Sequence, residues 1–146
     1  HIISHEKHSV AYRKVLMAHK QIAGAMPESA SAAHAVLTQA TLRSAKLLGL
    51  SHHDLARSVG VSEASVSRMT TGAKVLEIGS KPAELAALVV RVYRSLDALV
   101  GNSDSQRELW MGTYNQAINA IPKEAIQSAQ GLVRVVAYLD GARALS

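Results

Sequence analysis

Between Ser51 and Gly72 the chain reads SHHDLARSVGVSEASVSRMTTG, and no other stretch narrows so far what it can fold into. The pattern predicts two short helices joined by a tight turn. Leu55, Ala56 and Val59 share one face of the first, and Val61, Val66 and Met69 one face of the second. Gly60 falls between them, where a sharp turn favours a residue tolerant of positive φ. Ala56 is small where the helices would cross. Ser62 suits the N-cap of the second helix and Gly72 a stop after it. At helical spacing Val66 and Met69 point inward, while Ala64, Ser67, Arg68 and Thr71 point outward. That outward set is short, polar and basic, and it suits a DNA major groove. The plainer alternative is a helical hairpin that merely packs.

LARSVGVSEASVSRM resembles the helix-turn-helix of phage-repressor-type proteins, with its Ala, Gly and Val in their customary relative places. The resemblance implies that Ser62, Glu63, Ala64 and Arg68 reach base edges, and that His52 and His53 lie near the DNA backbone. Ser67, Thr71 and Lys74 complete the expected DNA-binding set. A bidentate Arg68–guanine contact is the strongest single candidate, worth ~1–3 kcal/mol of discrimination. Glu63 has two readings, acceptance from a cytosine amine or stabilisation of its own helix dipole, and the second is preferred.

Composition supports a helical chain. Of 146 residues only three are proline, alanine recurs throughout, and phenylalanine is absent, so the core must come from Leu, Val, Ile, Ala and Met. The absence of cysteine excludes a disulfide framework and a thiolate zinc site. With no signal peptide and no apolar run of spanning length, a cytoplasmic protein is expected. The net charge of +5 is unevenly spread. Residues 1–42 hold four Lys/Arg against two acids, residues 43–81 six against three, and residues 82–146 six against six. The excess lies in the half that carries the helix-turn-helix, as a phosphate-binding surface requires.

Taken in order, residues 1–27 read as a tail (1–9) and an irregular first helix from Val10 to about Ala25. His5 and His8 have metal-ligand spacing only if helical, and a ragged or tag-derived terminus is the preferred reading; no metal or cofactor is expected. Residues 28–80 form the expected DNA-binding domain. Pro27 opens a helix from about Glu28 to Leu48 with Ala33, Val36, Leu37, Ala40, Leu47 and Leu48 at three- and four-residue spacing, and Gly49 ends it. Arg43 and Lys46 fall on its polar side. In the connector Thr71–Gly79, Val75, Leu76 and Ile78 are apolar enough to dock.

Residues 81–146 form the second expected domain. Its first helix, Lys81–Val100, shows a wide apolar face of Leu85, Leu88, Val89, Val92, Tyr93 and Leu96, continued by Leu99 and Val100. That face serves either the chain's own core or a dimer seam between two copies. Gly101-Asn102 stops it, and Ser103 with Gln106 predicts a capping box for a helix carrying Leu109, Trp110 and Met111. Ala117, Ile118 and Ile121 resume the pattern after Thr113-Tyr114-Asn115. Pro122 opens a short helix to Ala129. A last helix runs from near Gly131 to Gly141 with Leu132, Val133, Val135, Val136 and Leu139 buried, leaving GARALS as an exposed tail.

The order WMGTYNQAI, IPKEAIQSA, QGLVRVVAYLDG is similar to the toxin-binding domain of the Xre/MbcA/ParS antitoxins, which follows a repressor-like helix-turn-helix. The resemblance covers about residues 35–146. Where the family has W-x-x-x-P-N, this chain has Tyr114 before Asn115. The fold implied is all-α, a repressor-like helix-turn-helix bundle followed by a small helical toxin-binding domain. The function implied is that of a type II antitoxin: it blocks an NAD-consuming RES-domain toxin and represses its own operon at operator DNA, as a homodimer within the toxin complex. The residues expected at the toxin are Trp110, Tyr114, Asn115 and Tyr138, with the tail Arg143, Ala144, Leu145 and Ser146 covering the active-site entrance. Simple core filling by Trp110 and helix capping by Asn115 are the structural alternatives.

Rival functions weigh less. A plain repressor, whose C-terminal half only dimerises or binds an effector, shares every feature of residues 35–80. An enzyme lacks a proposed centre, for there is no cysteine nucleophile, phosphate-binding glycine loop or HExxH motif. Membrane-surface binding lacks a basic amphipathic segment.

Overall fold

Four serines set where the helices of this chain begin. The hydroxyls of Ser51, Ser62, Ser80 and Ser103 accept the backbone N–H three residues on, from Asp54, Ser65, Ala83 and Gln106. Each satisfies one orphan donor of a first turn. At Ser51 the box is reciprocal, since the Asp54 carboxylate accepts the Ser51 N–H at 3.0 Å. At the other ends, Gly60 (φ +74°) and Gly101 (φ +65°) take the left-handed conformation that closes a helix.

The computed structural model describes residues 28–145. Its helices are α1 (Glu28–Leu47), α2 (His52–Val59), α3 (Glu63–Thr70), α4 (Lys81–Val100), α5 (Asp104–Gly112), α6 (Pro122–Ala125) and α7 (Ala129–Leu145). The described residues contain no strand beyond an isolated antiparallel bridge between Asn115 and Ala120. The all-α expectation is met. The first expected helix, the His5/His8 pair, Pro27 and Ser146 lie outside the described residues. Two compact units divide the chain, His1–Ala32 and Ala33–Ser146. Of the first, the described part is the opening of α1.

Within Ala33–Ser146, α4 is the central element. It packs along α7 and also against α2 and α5. Val89, Val92 and Leu96 of α4 are fully buried, as are Leu132, Val135 and Leu139 of α7. One apolar core runs unbroken from Ala45 to Leu139 and takes in Leu55, Val59, Val66 and Met69 of α2 and α3. Of the two uses expected for the apolar face of α4, the chain's own core takes most of it. Val89, Val92 and Leu96 are consumed by the chain's own core, and only Leu85, Leu88 and Tyr93 keep part of their surface at its margin.

Other details depart from the expectation. The buried face of α1 is His34, Thr38, Thr41, Ser44 and Ala45, followed just past its end by Leu48, whereas Val36 is 68% exposed. Hydroxyls can line that face because their bonds are made locally. Thr38 and Thr41 donate to the carbonyls of His34 and Leu37, and Thr38 also accepts the Leu76 N–H at 2.8 Å. That last bond pins the connector, so Leu76 docks while Val75 and Ile78 stay exposed. Ala117–Ile121 does not resume a helix, because the Asn115–Ala120 bridge closes a loop there, with Asn119 left-handed at φ +59°. Val133 faces outward. Gly141 does not end the chain's last helix, which continues to Leu145. No described helix is long and apolar enough to cross a membrane.

Candidate functional site

The first candidate surface is the outer face of α3. Ser62, Glu63, Ala64, Ser67, Arg68, Thr71 and Lys74 are all exposed, as are His52 and His53 at the start of α2. Val66 and Met69 anchor α3 from behind and Gly60 sets the turn into it, so the sequence fixes which residues face out. The Arg68 guanidinium enters no ion pair among the described residues. Its backbone carbonyl, by contrast, accepts the N–H groups of Ala73 and Lys74 and the Thr71 hydroxyl. The chain therefore folds back beneath the end of α3.

Hydrogen bonding divides this set further. The Ser62 hydroxyl is engaged as the N-cap and donates to Ser65 Oγ at 3.0 Å. The Lys74 ammonium donates to the same Ser65 hydroxyl at 2.9 Å, which tethers the connector to α3 and leaves the ammonium two further protons. Glu63 lies 3.7 Å from His53 Nδ1, an attraction only when the imidazole is protonated. Arg43 and Lys46 of α1 line, with His52 and Thr70, an open concavity of ≈ 700 Å³ beside α2. Arg43 and Lys46 of α1 thus stand beside the His52 imidazole at the start of α2, a basic edge suited to a phosphate backbone.

The second surface lies on α5 and the loop after it. Leu109 is 62% and Tyr114 56% exposed. Trp110 is half-buried and stacks on Tyr138 of α7, with ring centroids 6.2 Å apart and planes inclined by 21°. Trp110 therefore serves packing on one side and presents the other. Between Val100 and the loop opens a cleft of ≈ 310 Å³ lined by Val100, Gln106, Leu109, Trp110, Thr113, Tyr114 and Asn115. Asn115 does not cap a helix. Its Oδ1 accepts the N–H groups of Ala117 and Ile118 at 2.9 and 3.2 Å, shaping the loop. The Tyr114 hydroxyl donates to Asn119 across it.

The expected tail is the last turn of α7. Arg143 donates to Ser95 Oγ at 3.3 Å, and Ser95 in turn donates to Asp140, which also pairs with Arg91. Arg143 is thereby drawn toward α4, while Ala144 and Leu145 are exposed. The structure brings Trp110, Tyr114, Asn115 and Tyr138 to one region through the cleft and the ring stack.

One residue escaped the sequence reading. Arg107 is only 2% exposed, and donates at 2.7 Å to both Asp97 and Asp104. Its guanidinium lies 5.3 Å from the centre of the Tyr93 ring. The Asp97 bond foremost, then the Asp104 bond, hold its pKa above the ordinary arginine value. This brace fixes α5 on α4 and so positions the cleft. The i, i+3 spacing of Asp104 and Arg107 was visible in the sequence, but it reads as a solvated pair. Among the described residues no group of three or more His, Asp or Glu is placed to hold a metal ion.

Two family models match. Residues 28–91 match the antitoxin Xre-like helix-turn-helix domain, and residues 95–144 match the antitoxin Xre/MbcA/ParS C-terminal toxin-binding domain. No curated protein matches the chain. The first match contains the whole exposed face of α3, the second the cleft and the Trp110–Tyr138 stack. With DNA-binding and toxin-binding parts in this order on one all-α chain, the protein belongs to the Xre/MbcA/ParS-type antitoxins.

Proposed function

We propose that this antitoxin neutralises a RES-domain toxin that consumes NAD, and that it represses its own operon by placing α3 in the major groove of operator DNA. The observation that carries the reading is the pairing, on one chain, of an exposed basic helix-turn-helix face with a matched toxin-binding domain. The RES identity rests on the resemblance of residues 35–146. The antitoxin performs no chemistry in this reading. Neutralisation is steric, with Trp110, Tyr114, Asn115, Tyr138 and the end of α7, from Arg143 onward, covering the toxin's active-site entrance. Repression uses a homodimer on paired half-sites ~34–36 Å apart. DNA and NAD are both cytoplasmic, and the chain would act there.

The deciding experiment is co-expression of the full chain with its neighbouring open reading frame, a pull-down, and an NAD assay. A stable complex, with NAD falling only when this chain is absent, supports the reading. No complex and no effect on NAD overturn it, and leave a repressor whose C-terminal helices serve packing or an effector. Two variants divide the labour. Arg68→Ala should weaken operator binding by ~1–3 kcal/mol and leave neutralisation intact, as read by gel shift and growth rescue. Deletion of Arg143–Ser146 should impair neutralisation with DNA binding retained; full protection by the shortened chain would remove the tail from the mechanism.

A further inference from the structure

The cleft on α5 is built unlike a site for an ion or a nucleotide. None of its lining residues, Val100, Gln106, Leu109, Trp110, Thr113, Tyr114 and Asn115, is charged. Val100, Leu109 and the face of Trp110 supply apolar walls, while Gln106, Thr113 and Asn115 supply amide and hydroxyl groups. An apolar recess edged by uncharged hydrogen-bonding groups fits one apolar side chain together with the peptide backbone that carries it. A phosphate or metal would find no countercharge there.

The cleft is also held in shape without an occupant. Trp110 is stacked on Tyr138, and Arg107 ties α5 to Asp97 of α4. The far wall is a loop closed by the Asn115 N–H to Ala120 carbonyl bond at 2.9 Å, by the Asn115 side chain, and by Tyr114 on Asn119. Ile118 anchors that loop in the core. A walled recess of this kind spares the ordering cost that a flexible surface incurs on binding. An exposed tyrosine beside a half-buried tryptophan also has the composition of an interface anchor point.

We infer that this cleft receives a single uncharged, apolar side chain of the toxin, bracketed by hydrogen bonds from its rim to the toxin backbone. The inference rests on the toxin-binding reading above and names where on the domain the anchor sits and what chemistry it takes. It places the centre of the contact on α5 and the following loop, with the end of α7 as a separate element.

The chain has one tryptophan, and it lines the cleft. The full-length antitoxin is labelled with 5-fluorotryptophan and mixed with the unlabelled protein from the neighbouring reading frame. Its single fluorine resonance is followed, and affinity is measured in parallel for Leu109→Arg and for Val36→Arg. Both positions are exposed apolar surface, so both variants should fold, and Val36 on α1 controls for the added charge. The expected result is a shifted resonance on complex formation, a loss of affinity on the order of thirtyfold for Leu109→Arg, and no loss for Val36→Arg. A complex that forms with the resonance unmoved, or that tolerates Leu109→Arg as it does Val36→Arg, overturns the cleft while leaving the antitoxin reading in place. Failure of the wild-type chain to form any complex overturns that reading, and the cleft with it.

Discussion

Two aspartates hold one arginine out of water. Removing Arg107 empties a buried site and unpairs Asp97, which is 23% exposed, while Asp104, 79% exposed, returns to water; the cost is about 1–3 kcal/mol, chiefly from the part-buried Asp97. Arg107→Ala should therefore lower the unfolding midpoint sharply, whereas Arg107→Met, which refills the volume without the charge, should lower it less. The raised pKa of Arg107 fixes the sign of the pH dependence. The brace contributes fully below the ordinary arginine range and is lost only as pH climbs through the raised value. The deficit of Arg107→Ala should thus stay constant from neutral to mildly alkaline pH in chemical denaturation; a deficit that fades across that window would contradict the assignment. At this scale the outward face of α3 was legible, because Val66 and Met69 at helical spacing leave Arg68 one side to occupy. Arg107 was not, since its burial depends on Tyr93 and Asp97 of a different helix. The same is true of Ser65, whose hydroxyl collects Lys74 from beyond the end of α3.

Among the elements, α7 shows how one missing side chain sets a helix start. A Cβ placed on Gly131 would stand 1.9 Å from the Ala125 carbonyl oxygen at the end of α6. Alanine ordinarily favours a helix over glycine by ~1 kcal/mol. Here Gly131→Ala should instead destabilise, by about 1–3 kcal/mol, because a backbone carbonyl cannot step aside as a side chain can. Equilibrium unfolding in urea reads the sign directly, and a stabilised variant would refute the close approach. Helix ends marked by Ser, Pro and Gly were legible, and α4 runs over Lys81–Val100 as its pattern indicates. The facing of α1 was not. Apolar spacing favours Val36, yet threonine hydroxyls bonded to their own turn make the opposite stripe buriable. Position 141 misled for a related reason, since a glycine can remain inside a helix when α7 continues to lean on α4 through Arg143 and Asp140.

For the whole molecule, charge separates the two surfaces while the core unites them. Arg43 and Lys46 of α1 line the concavity beside α2, Arg68 and Lys74 are exposed on and just after α3, and the residues that line the cleft carry no charge. Operator binding should accordingly fall steeply as salt rises, with a log–log slope of several units from counterion release. A flat slope in a titration of fluorescent operator DNA would count against the basic surface. The pairing of a helix-turn-helix with a helical second part was visible in the order of motifs. That the two parts share one apolar core was not, because no local pattern reports which helices will meet.

The two family matches end and resume at residues 91 and 95, and both positions lie inside the unbroken helix Lys81–Val100. A helix transmits angle as well as distance, about 100° and 1.5 Å for every residue. Inserting one residue at 92–94 would rotate Leu96, fully buried, about 100° out of the core that both parts share, and a chimaera joined there would inherit the same error. Exchange of toxin specificity between such chains is therefore gated by screw phase. Grafts that respect it keep Val89, Val92 and Leu96 in one core, and grafts out of phase would break the core that both parts share.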